Sequence, residues 1–362
     1  MVKLFLAGDV MIGRGIDQIL RHSVDPTISE PYVRSAQGYV TLAERANGAI
    51  PREVADNYVW GDVITELDRS APDVRIINLE TAVTARGTPW PSKEVSYRMH
   101  TANVGVLTAA AIDVCSLANN HVLDWSYEGL EDTLDALDDA GISIVGAGRD
   151  QAAAEASAIV SEDGLRVVVS GMGSPTSGIP ATWEATTDRA GIAFIPELSA
   201  QAADVVGARV AGYRSPGDLV VVSIHWGPNW GHQVPKTQTR FAHRLIDAGV
   251  DIVHGHSSHH AKAIEVYRNR PIMYGCGDLI NDYEGIGSHG EYRGDLGLIY
   301  IVTMDLDGLR ELEMTPMRMR RFRAERVTGP DVEWLASTLD RHSRRFETGI
   351  RITDDQRLEV QW

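Results

Sequence analysis

Apolar residues in this chain gather into short runs, and five of these runs stop on side chains that can bind a cation or move a proton. "VKLFLA" ends at Gly8-Asp9, "DVRIINL" at Glu80, "DVCSLA" at Asn119-Asn120-His121, "DLVVVSI" at His225-Trp226-Gly227 and "VDIVHG" at His256. Continuous apolar runs of this length predict strands covered on both faces. A sixth run, "ISIVGAG", closes on glycines, so a polar end is not automatic in this chain. After the third run, "SYEGLEDTLDALDDAG" sets Leu130, Leu134 and Leu137 at helical spacing. Beyond residue 157 the pattern changes to hairpins, with turns expected at Glu162-Asp163-Gly164, Asn269-Arg270-Pro271 and Asp307-Gly308. Strand-loop-helix units return at 218–256, so the two patterns are mixed. That mixture predicts one sandwich of two sheets with helices outside, rather than two independent domains. Residues 22–60 and 172–196, rich in Pro, Gly and Ser, predict long surface excursions of the kind that form lids or binding loops.

Composition narrows the picture. A chain of 362 residues can bury a sizeable core, and its two cysteines, Cys115 and Cys276, stand far apart in no C-x-x-C pattern. Reduced thiols are expected, not a disulfide scaffold. The formal net charge of −16 disfavours nucleic acid and anionic membranes as main partners. The opening "MVKLFLAGDV" is too short an apolar run for a signal-peptide core, and no run approaches the roughly 20 residues that cross a bilayer. A soluble, cytoplasmic protein is the expectation.

Parallel strands in such sheets present their carboxyl ends at one edge, where ligands bind. If the five strand ends are neighbours, Asp9, Glu80, Asn120, His121, His225 and His256 converge. Mixed carboxylate, amide and imidazole ligation suits Mn, Fe or Zn better than Ca or a thiolate-seeking metal. Asn120 would bind through its side-chain oxygen, while His121, one residue on, would face the substrate.

"AGDVMIGR", "INLETAVT", "SLANNHVLD", "VVSIHWGPNW" and "VHGHSSHH…PIMYGCGDLINDYEG" together resemble, in order over nearly the whole chain, the CapA family of poly-γ-glutamate capsule-synthesis proteins, a branch of the calcineurin-like metallophosphoesterases. The resemblance implies an α/β fold, a four-layer α-β-β-α sandwich over residues 1–325, with residues 326–362 as a helical and extended appendage packed on it. It also implies a dinuclear metal site of Asp9, the bridging carboxylate Glu80, Asn120, His225 and His256, with His121 beside it. Three departures stand out. Met11 replaces an expected His, Glu80 an expected Asp, and "GHSSHH" an expected Gly-His-x-His, so the last imidazole is His259, His254 or neither. One or two metals are therefore expected.

The chemistry implied is hydrolysis: metal-activated water attacking a phosphate ester or related bond, an amide not excluded. His121 would protonate the leaving oxygen or hold developing charge, oriented by Asp124. Arg14 and Arg98 would clamp anionic oxygens, Trp226 or Trp230 would line the pocket, and Asp278 and Asp282 would contact substrate or metal. His243 and His260 read as helix-surface and loop residues, and His232 as a loop residue or a substrate contact. The arginines of "MRMRRFRAER" read as a strip that pairs with the protein's own acids, or, more sharply, as an anchor for a polyanion. The substrate is thus a small molecule or a polyanion such as poly-γ-glutamate. The rival to an enzyme is a non-catalytic polymer-binding or capsule-assembly protein on the same fold.

Overall fold

Two sheets lie face to face because their central strands are apolar on both sides. The computed structural model describes residues 1–162, 165–287 and 290–362, so the turn expected at Asp163-Gly164 lies outside the described residues. In the first sheet, β1 (Val2–Val10), β2 (Val74–Leu79), β3 (Val114–Ser116) and β4 (Ser143–Val145) run parallel in that spatial order. The chain then builds the second sheet from β5 (Ala158–Glu162), β6 (Leu165–Gly173), β7 (Leu219–His225), β8 (Ile252–His256), β9 (Ile264–Tyr267) and β10 (Arg270–Met273), with β6, β7, β8 and β10 parallel neighbours. It returns to the first sheet through β11 (Asp278–Ile280), parallel to the end of β1, and β12 (Leu296–Asp305), antiparallel to its earlier residues, both on the side of β1 away from β2. β13 (Gly308–Arg320), β14 (Arg323–Arg326), β15 (Gly349–Ile352) and β16 (Leu358–Gln361) extend that sheet.

Strand pleating sorts the side chains into three cores. Leu4 and Leu6 of β1 meet Val167, Val169, Leu219 and Val221 between the sheets. Phe5 and Ala7, one residue out of phase, face the outer helices α1 (Gln37–Asn47), α2 (Asp62–Ser70), α3 (Gly105–Ala109) and α4 (Ser126–Asp139). On the far side, Val168, Val220 and Val222 pack against α6 (Ala200–Ala211) and α7 (Lys236–Asp247); a short α5 (Gln151–Glu155) precedes β5. Helix, sheet, sheet, helix is the resulting order. Residues after 326 are continuous with it: α8 (Pro330–Ser343) places Val332, Leu335 and Leu339 in the inter-sheet core, and β16 pairs with β13.

Two turns differ from the sequence expectation. The β9–β10 turn is made by Arg268 and Asn269, both at positive φ (50° and 61°), which leaves Arg270 and Pro271 inside β10. Two consecutive left-handed residues match the twist of a two-residue hairpin. The β12–β13 turn likewise sits at Leu306-Asp307, with Gly308 already paired to Asp305. Among the described residues no helix is long and apolar enough to cross a membrane.

Candidate metal centre

The sheets pinch together where β1 and β8 end, and glycine makes the pinch possible. A Cβ on Gly8 would stand 2.0 Å from the Gly277 carbonyl, and one on Gly255 would stand 2.5 Å from that of Met273. Only a bare backbone fits there, so Asp9 and His256, each following such a glycine, are carried to the same spot from different sheets.

Asp9, His225 and His256 form one group of ligand-type atoms all within 4.8 Å of one another; Asp9, His259 and Asp278 form a second. Asp9 belongs to both and is fully buried. Its Oδ1 accepts from Asn78 Nδ2 at 2.8 Å, while Oδ2 is buried without a partner among the described residues. His225 Nδ1 and His256 Nδ1 stand 2.8 Å apart, and Asn120 Oδ1 lies 3.0 Å from His225 Nε2. Ser223 Oγ lies 2.9 Å from His256 Nε2 and fixes that ring from behind. In the second group His259 Nδ1 is 2.9 Å from Asp278 Oδ1, and Asn281 donates to Asp278 Oδ2 at 3.0 Å. Ser257, at φ 103°, turns its N–H to within 3.4 Å of Asp9 Oδ1. That left-handed conformation is strained for a residue with a side chain, and such strain concentrates at functional sites.

Charge is costly in this enclosure. Burial, then the Asp278 carboxylate, pushes Asp9 up to about 7. Glu80 is driven well above the carboxylate range by burial and then by Asp9 and Asp278. Burial forces His225 and His256 well below the usual imidazole value. For His259 burial presses downward too, but Asp278 beside it outweighs this and the net direction is up. Three buried carboxylates beside His225, His256 and His259 form a donor set that fits a divalent cation, since carboxylate and imidazole that give up their protons to the metal are what ligation requires.

Glu80 and His121 flank this set. Asn78 Nδ2 donates to Glu80 Oε2 at 3.0 Å as well as to Asp9, and Asn119 Nδ2 donates to Asn78 Oδ1 at 3.0 Å and to the Leu79 carbonyl at 2.8 Å. Asn119 Oδ1 accepts the His121 N–H at 3.1 Å. A chain of two amides therefore fixes the exits of β2 and β3 against each other. His121 Nδ1 lies 2.7 Å from Asp124 Oδ2, and Nε2 faces Glu80 Oε1 at 3.8 Å. Lys93 Nζ stands 2.6 Å from Asp124 Oδ1 and 2.9 Å from His121 Nδ1. Burial lowers His121 to about 4, against the pull of Asp124 and with Lys93 adding to the fall. Tyr97 packs edge-on to the His121 ring, 4.6 Å between centroids. Beside it opens a cleft of about 630 Å³ whose walls include Tyr97, His259, Trp230, Tyr283, Arg14 and Glu94.

Several sequence expectations are corrected here. His254, two residues before His256 on the same strand face, sits deeper: its nitrogens lie 3.2 Å from Ser223 Oγ and 2.9 Å from the Ala7 carbonyl, so it ties the sheets together. Of the two alternatives, His259 is the one in a ligand-type group. Asp278 stands in that group as well, not in a substrate-contact position apart from it. Arg14 lines the cleft with no free fork, because Asp282 takes Nε at 2.8 Å and Nη2, and Glu30 takes Nη1 at 3.1 Å. Asp282 is thereby engaged too. Arg98 lies over the Trp125 ring at 3.6 Å and donates to the Asp25 carbonyl at 3.2 Å, away from the site. Trp226 points the opposite way from His225, into the outer core, where its Nε1 donates to the Tyr274 carbonyl at 3.0 Å. Met11, standing where a His was expected, has its sulfur 3.6 Å from the Tyr283 hydroxyl. Sequence reasoning missed Asn78 and Lys93. Asn78 carried a signal, a polar residue inside the apolar run "VRIINL"; Lys93, on a loop of "PSKEVSY", carried none.

Helix, sheet, sheet, helix, with ligand-type side chains at the strand ends of both sheets, is the four-layer arrangement that the sequence resemblance implied. Residues 3–283 match the model of the bacterial capsule synthesis protein family PGA_cap, and the chain belongs to that family. It is 48% identical over 364 aligned residues to a Mycobacterium tuberculosis protein named "Probable polyglutamine synthesis accessory protein", covering 99% of this chain and 96% of that one. It is also 31% identical to the capsule biosynthesis protein CapA of Bacillus anthracis, over 49% of this chain and 42% of that protein, and 28% identical to the PGA biosynthesis protein CapA of Bacillus subtilis, over 57% and 52%.

Proposed function

We infer that the protein is a metal-dependent hydrolase whose water attacks a phosphate ester or a related bond, in the service of the polymer or capsule synthesis named in its relatives. The observation that carries this reading is the Asp9 carboxylate: it is shared by two ligand-type groups and keeps one buried oxygen without a partner among the described residues. Asp9, His225, His256 and Asn120 would hold one divalent cation, and Asp9, His259 and Asp278 a second, with Glu80 held nearby by Asn78. Such cations lower the pKa of bound water toward 7 and polarise a phosphoryl oxygen. Asn78 and Asn119 keep the carboxylates aimed. Asp124 and Lys93 hold the Nδ1 side of His121, so proton movement takes place at Nε2. Burial keeps that ring neutral near pH 7; it accepts a proton and returns it to the departing oxygen. Tyr97 and the cleft walls limit water around it. The test is a screen of model phosphomonoesters and phosphodiesters with Mn, Fe or Zn added to protein freed of metal. Turnover that requires metal is expected. Tight polymer binding by metal-free protein with no turnover on any ester or amide would favour the assembly role carried in the relatives' names.

A further inference from the structure

The cleft beside the candidate metal centre has aromatic walls that start from the centre itself. Tyr97 meets the His121 ring at 4.6 Å, and Trp230 and Tyr283 each pack on His259 with ring centroids 5.4 Å apart. Tyr32 and Tyr39 line the same space further out. Such walls are matched by a flat ring, offset-stacked or edge-on.

The charge in the cleft is mostly negative. Glu30, Glu94, Glu284 and Asp295 line it against Arg14 and Arg318. Each arginine is already met by two carboxylates, Arg14 by Glu30 and Asp282, Arg318 by Asp295 and Asp331. Glu284, only 9% exposed, accepts from Asn47 Nδ2 at 2.5 Å and from the N–H groups of Arg321 and Phe322 at 2.7 and 2.6 Å, and it forms no ion pair among the described residues. Glu94 stands exposed at the rim, also unpaired among them. A carboxylate held in a part-closed space without a counter-charge repels an anion and is completed by a cation.

One loop at the mouth is built to meet a ligand. Its base is closed by the bridge between Thr27 and Ser35 and by the Ala36 N–H, which donates to the Pro26 carbonyl at 2.7 Å. Inside it Glu30 is buried, held by Arg14 and by the Tyr39 hydroxyl. Tyr32, two residues on, is 98% exposed and lines the cleft. The loop is anchored while its ring is left unpacked, so covering that ring with a ligand removes apolar area from water.

We propose that the cleft selects a substrate whose part away from the reacting bond is an aromatic ring carrying a protonated amine, the ring against Tyr32 and Trp230 and the ammonium among Glu94 and Glu284. The proposal rests on the reading of the metal centre as a hydrolase site and adds the substrate class. Beyond the reacting group, the same carboxylates reject an anionic substituent.

The test compares three phenols that differ only in the group remote from the hydroxyl: tyramine with its ammonium, neutral 4-ethylphenol, and 3-(4-hydroxyphenyl)propionate with its carboxylate. Each is titrated calorimetrically into the full chain, and the phosphate ester of each is assayed with added Mn, Fe or Zn. Tyramine binds tightest, the neutral phenol about tenfold more weakly and the carboxylate more weakly still, as one charge-assisted contact should weigh. The esters follow the same order in kcat/KM; their leaving groups are alike, so the order reports recognition. Glu94→Lys, at an exposed position, narrows or inverts the ratio between amine and carboxylate. Tyr32→Ala weakens all three ligands several-fold and raises KM more than it lowers kcat. The proposal is overturned by equal binding of the three phenols, by binding of none, by a ratio unmoved in Glu94→Lys, or by unaltered affinities in Tyr32→Ala. The binding order without turnover of any ester overturns the hydrolase reading alone.

Discussion

Two regions of this molecule concentrate chargeable side chains: the rim where Asp9, His225 and His256 meet, and the arginine-rich hairpin of β13 and β14. At the hairpin nearly every guanidinium has found an acid. Arg318 pairs with Asp295 and Asp331, Arg321 with Glu325, Arg323 with Asp62 and Arg326 with Glu66. At the rim the reverse holds: Asp9, Glu80 and Asp278 crowd together in burial, and Asp9 Oδ2 has no partner among the described residues. Density of charge in a sequence therefore says little about function. What distinguishes the rim is bonding capacity left open inside a closed space, which is costly unless a ligand completes it.

The comparison can be broken in four ways. The largest effect belongs to His121→Ala, which should keep metal and lower the rate of ester hydrolysis by about 10²–10⁴, the usual weight of a positioned acid or base; a steady-state assay with metal analysis reads both. Gly255→Ala places a Cβ 2.5 Å from a backbone oxygen and should cost about 1–3 kcal/mol of stability by forced displacement at the pinch, read by denaturant unfolding.

A third effect is on pH. Asp9, raised from 3.8 to about 7, stabilises the metal-free fold fully below its unfolded value, and that contribution is lost as pH rises through about 7. Glu80 and His259, both raised, act in the same sense. The depressed His225 and His256 oppose this below their unfolded value near 6.5, but above it they are neutral in both states. Between pH 6.5 and 8 the Tm of metal-free protein should therefore fall, and added divalent metal should reduce the fall; a flat profile without metal contradicts the burial of these carboxylates.

The smallest effect should come from the hairpin. Arg323→Ala removes a half-exposed pair with Asp62 and should change stability by about 0–1 kcal/mol, read by denaturant unfolding.

Much of the rim was legible because each strand is a mainly apolar run that stops on polar residues at the edge of the sheet, where Asp9, Asn120, His225 and His256 stand. The errors came where direction, not position, decides. Trp226 follows His225, and strand pleating sends consecutive side chains to opposite faces, so its place in the outer core was implicit in the period of two. His254 shares the face of His256 but lies two residues deeper, about 7 Å along the strand, where it meets the Ala7 carbonyl and not the rim. Arg14 and Arg98 look alike as sequence; only tertiary structure shows one held between Asp282 and Glu30 and the other laid on Trp125. The return of β11 beside β1 carries Asp278 into register with Asp9, a pairing between residues far apart in the chain that no local pattern encodes.

Elemental analysis of the full chain purified without chelator, compared with Asp9→Asn, tests the central claim most directly. The account predicts at least one equivalent of Mn, Fe or Zn in the natural protein and its loss in a folded Asp9→Asn variant. Natural protein that neither carries nor takes up a divalent metal, or a variant that retains it in full, would contradict it.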